Sequence, residues 1–148
     1  MVIGIQWDDA FRLGLAPLDE QHERIFRLVE DVDHLLDAAA RPDAVMTALA
    51  RLRDMLVDHF RYEDHLMSSV ADRLCETAFD AHRACHDTVL GKIDHIVAAF
   101  GAEPTDELFR NFGSILFRSV VLDDGEMVSA LIRSDKVRPS LRRSTDRG

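Results

Sequence analysis

The 148 residues of this chain include few of the types that mark disordered, fibrous or disulfide-stabilised proteins. Seven glycines and four prolines stand against a hydrophobic content of 47%, which excludes disordered and collagen-like classes. The two cysteines, Cys75 and Cys85, lack CxxC spacing, and we expect them to be reduced. A chain of this length can bury about two-thirds of its unfolded surface in one domain without cross-links.

Long apolar runs and an excess of basic residues are also missing. No run approaches the roughly 20 apolar residues that cross a bilayer, and the start MVIGIQWDDAF has no basic segment of the kind that opens a secretion signal. We therefore expect a cytoplasmic protein without a membrane partner. The net charge is −9 although the last fifteen residues hold five Lys and Arg, so nucleic acid is not expected as a partner.

What the chain does contain is four stretches with helical spacing of hydrophobic residues. The predicted boundaries are a start at Pro17, a break at Ala40 to Pro42, an end of the second helix near Ser68 or Val70, an end of the third at Gly101, and loss of the period after Ser134. Short connections force neighbouring helices to be antiparallel. The predicted fold is all-α: an up-down-up-down four-helix bundle in a single domain, 1–148, with an N-terminal arm (1–16), helices over about 17–133 and a basic tail (134–148).

Polar residues interrupt each hydrophobic stripe. The interrupting residues are His22 in the first helix, His59 and Glu63 in the second, His82 and His86 in the third, and Ser119 and Glu126 in the fourth, with Asp123 and Asp124 beside them. Buried charges are costly unless something pairs with them, and residues four apart on a helix can hold one object. The topology brings all these residues to the same end of the bundle. A metal ion is the predicted occupant, and a hydrogen-bonded network without metal is the alternative.

Three segments, with Trp7 and Gly14 in the arm, resemble hemerythrin-type proteins, most closely the single-domain bacterial kind. They are LDEQH (18–22), HFRYEDHLM (59–67) and HRACH (82–86). The resemblance implies a bundle that holds two non-haem irons and binds oxygen reversibly. By position it implies His22 and His59 on one iron, His82 and His86 on the other, and Glu63 and Asp124 as bridges. Manganese or a mixed centre remains open, since imidazole and carboxylate also suit other metals.

The last helix departs from the family pattern, because Ser119 stands where the family has a further histidine ligand. Water, an open position or Glu126 are the alternatives there. The bridging aspartate is also ambiguous: residues five apart on an ideal helix differ by roughly 140°, which makes Asp123 a rival to Asp124.

The connection between Glu63 and His82 is longer than usual in the family, and the segment from Ser68 to Asp80 is predicted to cover the metal end. His65 is a candidate lid residue or outer ligand.

Two functions follow from the resemblance. The first is binding of O2 or a related small ligand, such as NO or peroxide, for sensing, storage or delivery. The alternative is an enzyme that activates peroxide or oxygen through the positions left open by the missing histidine. A third possibility is a domain that has lost iron and serves in interactions.

Overall fold

The computed structural model describes residues 3–69, 76–133 and 139 of the chain. Within these ranges the regular elements are all helical, which confirms the predicted all-α class. They are a short 3-10 turn (Asp9–Phe11), α1 (Ala16–Asp37), α2 (Pro42–Ser68), α3 (Glu76–Ala98), α4 (Thr105–Arg118), a π-helical turn (Ser119–Asp123) and α5 (Asp124–Arg133). Because α4, the π turn and α5 follow one another without a gap, together they form the last helix of the four-helix bundle.

Proline and glycine set the helix ends much as the sequence predicts. Pro17 and Pro42 lie in the first turns of α1 and α2, where a backbone N–H has no acceptor within the helix. Gly101, with a φ of +81°, lies in the connection after α3, in a conformation that disfavours a side chain. The connections that follow α1 and α3 are short, so consecutive helices are antiparallel neighbours.

The N-terminal arm packs against α1 and α4. Trp7 and Phe11 contact the ring of Phe26 with centroid distances of 5.6 Å, and Phe11 meets Phe117 edge-on at 5.5 Å. These aromatic contacts join the first and last helices of the bundle, so the arm helps to close it.

Two buried carboxylates of α1 fasten the backbone of the arm. Asp33 accepts hydrogen bonds from the N–H groups of Ile3 (2.8 Å) and of the residue after it. Asp19 accepts from the N–H groups of Leu13 (2.7 Å) and Gly14 (3.1 Å). The arm is thereby fixed at two points along α1.

The hydrophobic period of the last helix predicts an inward stripe through Ser119, Leu122 and Glu126, and this prediction was wrong beyond Ser119. Leu122 is 57% exposed and Glu126 is exposed, whereas Val120 and Met127 are buried. The cause is the π turn, in which the N–H of Asp124 donates to the carbonyl of Ser119, five residues back. A π turn holds one residue more than an α turn, so the 3.6-residue period cannot be extended across it.

In the part of the chain that the structure describes, every helix is too short or too polar to span a lipid bilayer.

Candidate metal centre

A layer of buried polar residues lies across all four helices of the bundle. The layer consists of His22 from α1, His59 and Glu63 from α2, His82 and His86 from α3, and Asp124 from α5. Each of the six is at most 9% exposed, and four of them are fully buried. This is the single layer that the helix directions predict.

The polar layer separates two hydrophobic clusters. Ile25, Leu56, Phe60, Val89 and Val120 belong to the larger cluster, which fills the middle of the bundle. Leu18, Met67, Phe79, Met127 and Leu131 belong to the smaller one. On every helix the polar residues fall between a member of one cluster and a member of the other, so the layer has apolar neighbours on both sides.

The first histidine pair shares one oxygen of Asp124. Nε2 of His22 lies 2.9 Å from Oδ2 of Asp124, and Nε2 of His59 lies 3.3 Å from the same atom. Nε2 of His59 also lies 3.1 Å from Oε1 of Glu63. Each of these four residues offers one atom that could bind a metal, and these four atoms all lie within 4.8 Å of one another.

The second histidine pair uses the other oxygens of the same carboxylates. Nε2 of His82 and Nε2 of His86 lie 3.0 Å and 2.7 Å from Oε2 of Glu63. His82 is also 3.3 Å from Oδ1 of Asp124. Glu63 and Asp124 therefore each direct one oxygen to each pair, so that two four-residue groups share both carboxylates.

Electrostatics in the layer favour the protonated forms of His59 and His82 in the absence of metal. Burial alone would lower the pKa of His59, but close contacts with the carboxylates of Asp124 and Glu63 outweigh this effect and raise the pKa to about 9. The same balance raises the pKa of His82 to about 10. Burial works to raise the pKa of Glu63, yet its close contacts with His59, His82 and His86 hold the pKa well below its usual value. Metal binding would displace these protons, because a metal needs the neutral imidazole.

Several buried nitrogen and oxygen atoms of the layer lie close together without good hydrogen-bond geometry, which fits a metal site better than a closed polar network. Among the described residues Oε1 of Glu63, Oδ1 of Asp124 and Nε2 of His86 lie 3.1, 3.3 and 2.7 Å from a neighbour in the layer without meeting the geometry of a hydrogen bond. More than about 90% of buried polar groups in proteins are paired. Imidazole nitrogens and carboxylate oxygens are ligands that iron accepts, and the arrangement of these atoms fits two adjacent ions.

Neighbouring side chains hold the histidine rings in place. Nδ1 of His59 donates to Oε1 of Gln21 at 2.9 Å. Phe60 stacks on the ring of His86 with centroids 4.0 Å apart. Oδ1 of Asp64 lies 3.8 Å from Nδ1 of His86. The roles of Phe60 and Asp64 had no signal in the sequence pattern beyond their position beside His59 and Glu63.

The chain matches the family model of the hemerythrin HHE cation binding domain over residues 13–131. This chain belongs to the hemerythrin family. The bacteriohemerythrin of Pseudomonas aeruginosa is 28% identical over 132 residues, which cover 86% of this chain and 82% of that relative. A bacteriohemerythrin of Stenotrophomonas maltophilia is 25% identical over 120 residues (80% and 75%), and a myohemerythrin of Riftia pachyptila is 30% identical over 92 residues (62% and 68%). No solved structure gives a significant match.

The hemerythrin-type ligand set predicted from the sequence is brought together in full. Of the two candidate aspartates, Asp124 is the fully buried one that faces both histidine pairs. Asp123 is partly buried and instead forms a hydrogen bond with the thiol of Cys85, which is a free cysteine. The five-residue spacing from Ser119 made the choice of aspartate ambiguous in the sequence. The π turn accommodates this spacing, because it places Asp124 one turn beyond Ser119.

The sequence departs from the hemerythrin pattern at Ser119 and in the connection after α2, and the structure describes the first of these fully and the second only in part. Ser119 is 2% exposed, and its Oγ has no hydrogen-bond partner among the described residues. Glu126 and His65 are exposed, and neither belongs to the two ligand groups found in the described chain. The proposed lid from Ser68 to Asp80 includes residues 70–75, which lie outside the described residues.

Proposed function

We propose that this protein holds two iron ions in the buried layer, with each histidine pair on one ion. His22 and His59 would bind the first, His82 and His86 the second, and Glu63 and Asp124 would bridge them. The observation that carries the proposal is the division of both carboxylates, each of which directs one oxygen to each histidine pair. The comparisons lend no support to manganese.

The function that this arrangement supports best is binding of O2 or a related small ligand, such as NO, for sensing, storage or delivery. A pair of ferrous ions supplies the electrons that reversible oxygen binding requires. The protein contributes two apolar clusters that exclude water from either side of the layer. Relatives named bacteriohemerythrin and myohemerythrin support this function. A cytoplasmic location remains an expectation from the sequence.

Optical spectroscopy of the iron-loaded protein tests this function. Exposure of the reduced protein to oxygen should produce a new absorption band, and degassing should remove the band over repeated cycles. A protein that contains two irons but shows no reversible band would contradict oxygen binding.

One observation favours the enzyme alternative. Each metal position has only two imidazoles besides the shared carboxylates, and Ser119, where the family has a further histidine, offers only a hydroxyl. Sites with few protein ligands leave positions open to substrates. Many turnovers of peroxide per iron pair would establish this alternative, whereas a single turnover followed by loss of reactivity would exclude it.

A further inference from the structure

A cleft of about 260 Å³ lies between α3 and α5, beside the second histidine pair. We call it the α3–α5 cleft. Its lining includes His82 and Cys85 from α3, Asp123 from the π turn, and Glu126 and Ala130 from α5. Since one water occupies about 30 Å³ of liquid, the cleft has room for a molecule of several heavy atoms.

The cleft adjoins only one of the two metal positions. His82 lines it and is 9% exposed, whereas His22 and His59 are fully buried and do not line it. A molecule in the cleft would therefore meet the position held by His82 and His86 first. By the resemblance to hemerythrins, this is also the position that Ser119 leaves without a third imidazole.

The charges around the cleft are predominantly negative. Asp123 and Glu126 line it, and Asp124 lies behind them in the buried layer. No Lys or Arg of the described chain lines the cleft, so the protonated imidazole of His82 is the cation among its described lining residues in the metal-free protein. Arg118 lies outside the lining, where its charge lowers the pKa of the Cys85 thiol. The charge of His82 offsets only one of the two lining carboxylates, so the field in the cleft of the metal-free protein opposes anions.

We propose that the α3–α5 cleft is the access route by which small ligands reach the His82 and His86 position, and that its carboxylates favour uncharged ligands over anions. This inference rests on the proposed metal centre. It predicts that uncharged NO enters more readily than azide, and that the difference arises in the cleft.

Cys85 provides a reporter of the cleft that does not depend on activity. In a Cys75→Ser background, alkylation by uncharged iodoacetamide and by anionic iodoacetate is compared with alkylation of the unfolded chain. The ratio of the two rates should favour iodoacetamide by about three- to fivefold at low ionic strength, and salt should reduce this preference. Glu126→Gln should move the ratio toward that of the unfolded chain. Equal ratios in folded and unfolded protein would overturn the charge selectivity.

Stopped-flow binding of NO and azide to the iron-loaded protein tests the access route. Ala130→Phe places a ring in the cleft and should slow both ligands by about tenfold or more. The matched control is Ser129→Phe, at an exposed neighbour that does not line the cleft, and it should leave both rates unchanged. Glu126→Gln should accelerate the binding of azide and leave the binding rate of NO unchanged. This second variant keeps the test valid if Ala130→Phe fails to fold.

The outcomes separate this inference from the proposed function. If Ala130→Phe retains two irons per chain and binds both ligands at the parent rate, the α3–α5 cleft is not the route. If the parent chain does not hold two irons, the proposed metal centre fails instead, and Cys85 labelling still decides whether the cleft selects against anions.

Discussion

Ser119 is the residue at which this chain differs most from the hemerythrin pattern. A serine hydroxyl is a weak iron ligand, and here it is buried without a hydrogen-bond partner among the described residues. Ser119→His should add a third imidazole to the position held by His82 and His86. We expect that metal is then lost to a chelator at least about ten times more slowly from that position.

Ser119→Ala is the control for this substitution, because it removes the hydroxyl without adding a ligand. Its rate of metal loss should match that of the parent protein. Equal chelation rates in folded Ser119→His and Ser119→Ala proteins would show that residue 119 does not face the metal position.

Gln21 fixes the orientation of His59 through its hydrogen bond to Nδ1. Gln21→Met removes the acceptor while keeping a side chain of similar length. The affinity for metal at the His22 and His59 position should fall by about 10- to 100-fold, as for other partners of ligating histidines.

Competitive metal titration measures this effect, with Gln6→Met as a control because Gln6 is exposed in the arm. Equal affinities in the two variants would mean that His59 needs no support from Gln21.

Among the helical elements, the π turn decides where the last carboxylate lies. The extra residue of the turn bulges outward, as the 57% exposure of Leu122 shows. Deletion of Leu122 should restore a regular α-helix with Asp124 four residues after Ser119, on the same face. We therefore expect this deletion to retain two metal ions per chain.

Deletion of Ser114, an exposed residue in the regular part of α4, provides the contrast. This deletion should rotate the following helical residues by about 100° about the helix axis and turn Asp124 away from the histidines. Metal analysis of both deletions is the measurement. Loss of metal in both would mean that the π turn itself, and not the face of the helix, positions Asp124.

Helices α1 to α3 were predictable because their hydrophobic period runs unbroken to the histidines. The last helix was predictable only as far as Ser119, since a period of 3.6 residues carries no sign of a π turn. Leu122 was consequently placed inside and is exposed. The role of Asp33 in holding the arm could not be predicted either. An acidic residue in a helix normally indicates a solvent-exposed face, and only the folded arm brings its backbone N–H groups to this carboxylate.

At the scale of the whole molecule, the polar layer makes the stability of the metal-free protein depend on pH. Without metal, the pKa values of His59 (about 9) and His82 (about 10) exceed the ordinary 6.5, so the folded chain binds more protons than the unfolded chain. Their stabilisation is complete below pH 6.5 and is lost as the pH rises through 9 to 10. The lowered pKa of Glu63 contributes stability above pH 4.5 that acid removes.

The metal-free protein should therefore be most stable between pH 4.5 and 6.5. Urea unfolding at about pH 6 and about pH 9 should show a lower midpoint at the higher pH. A midpoint that rises with pH over this interval would show that these histidines are neutral in the folded metal-free chain.

That the six polar residues lie in one layer was predictable at this scale. In an antiparallel bundle, the starts of the first and third helices lie at the same end as the ends of the second and fourth. The division of each carboxylate between two histidine pairs was not, since it depends on side-chain geometry across four helices. The α3–α5 cleft arises in the same way, from residues far apart in the chain.

The most direct test of this account is the iron content of the protein after anaerobic reconstitution with ferrous iron and removal of excess metal. The account predicts two irons per chain in the parent. It predicts a loss of both in Glu63→Ala, because Glu63 serves both positions. One iron or none in a folded parent chain would contradict the paired centre.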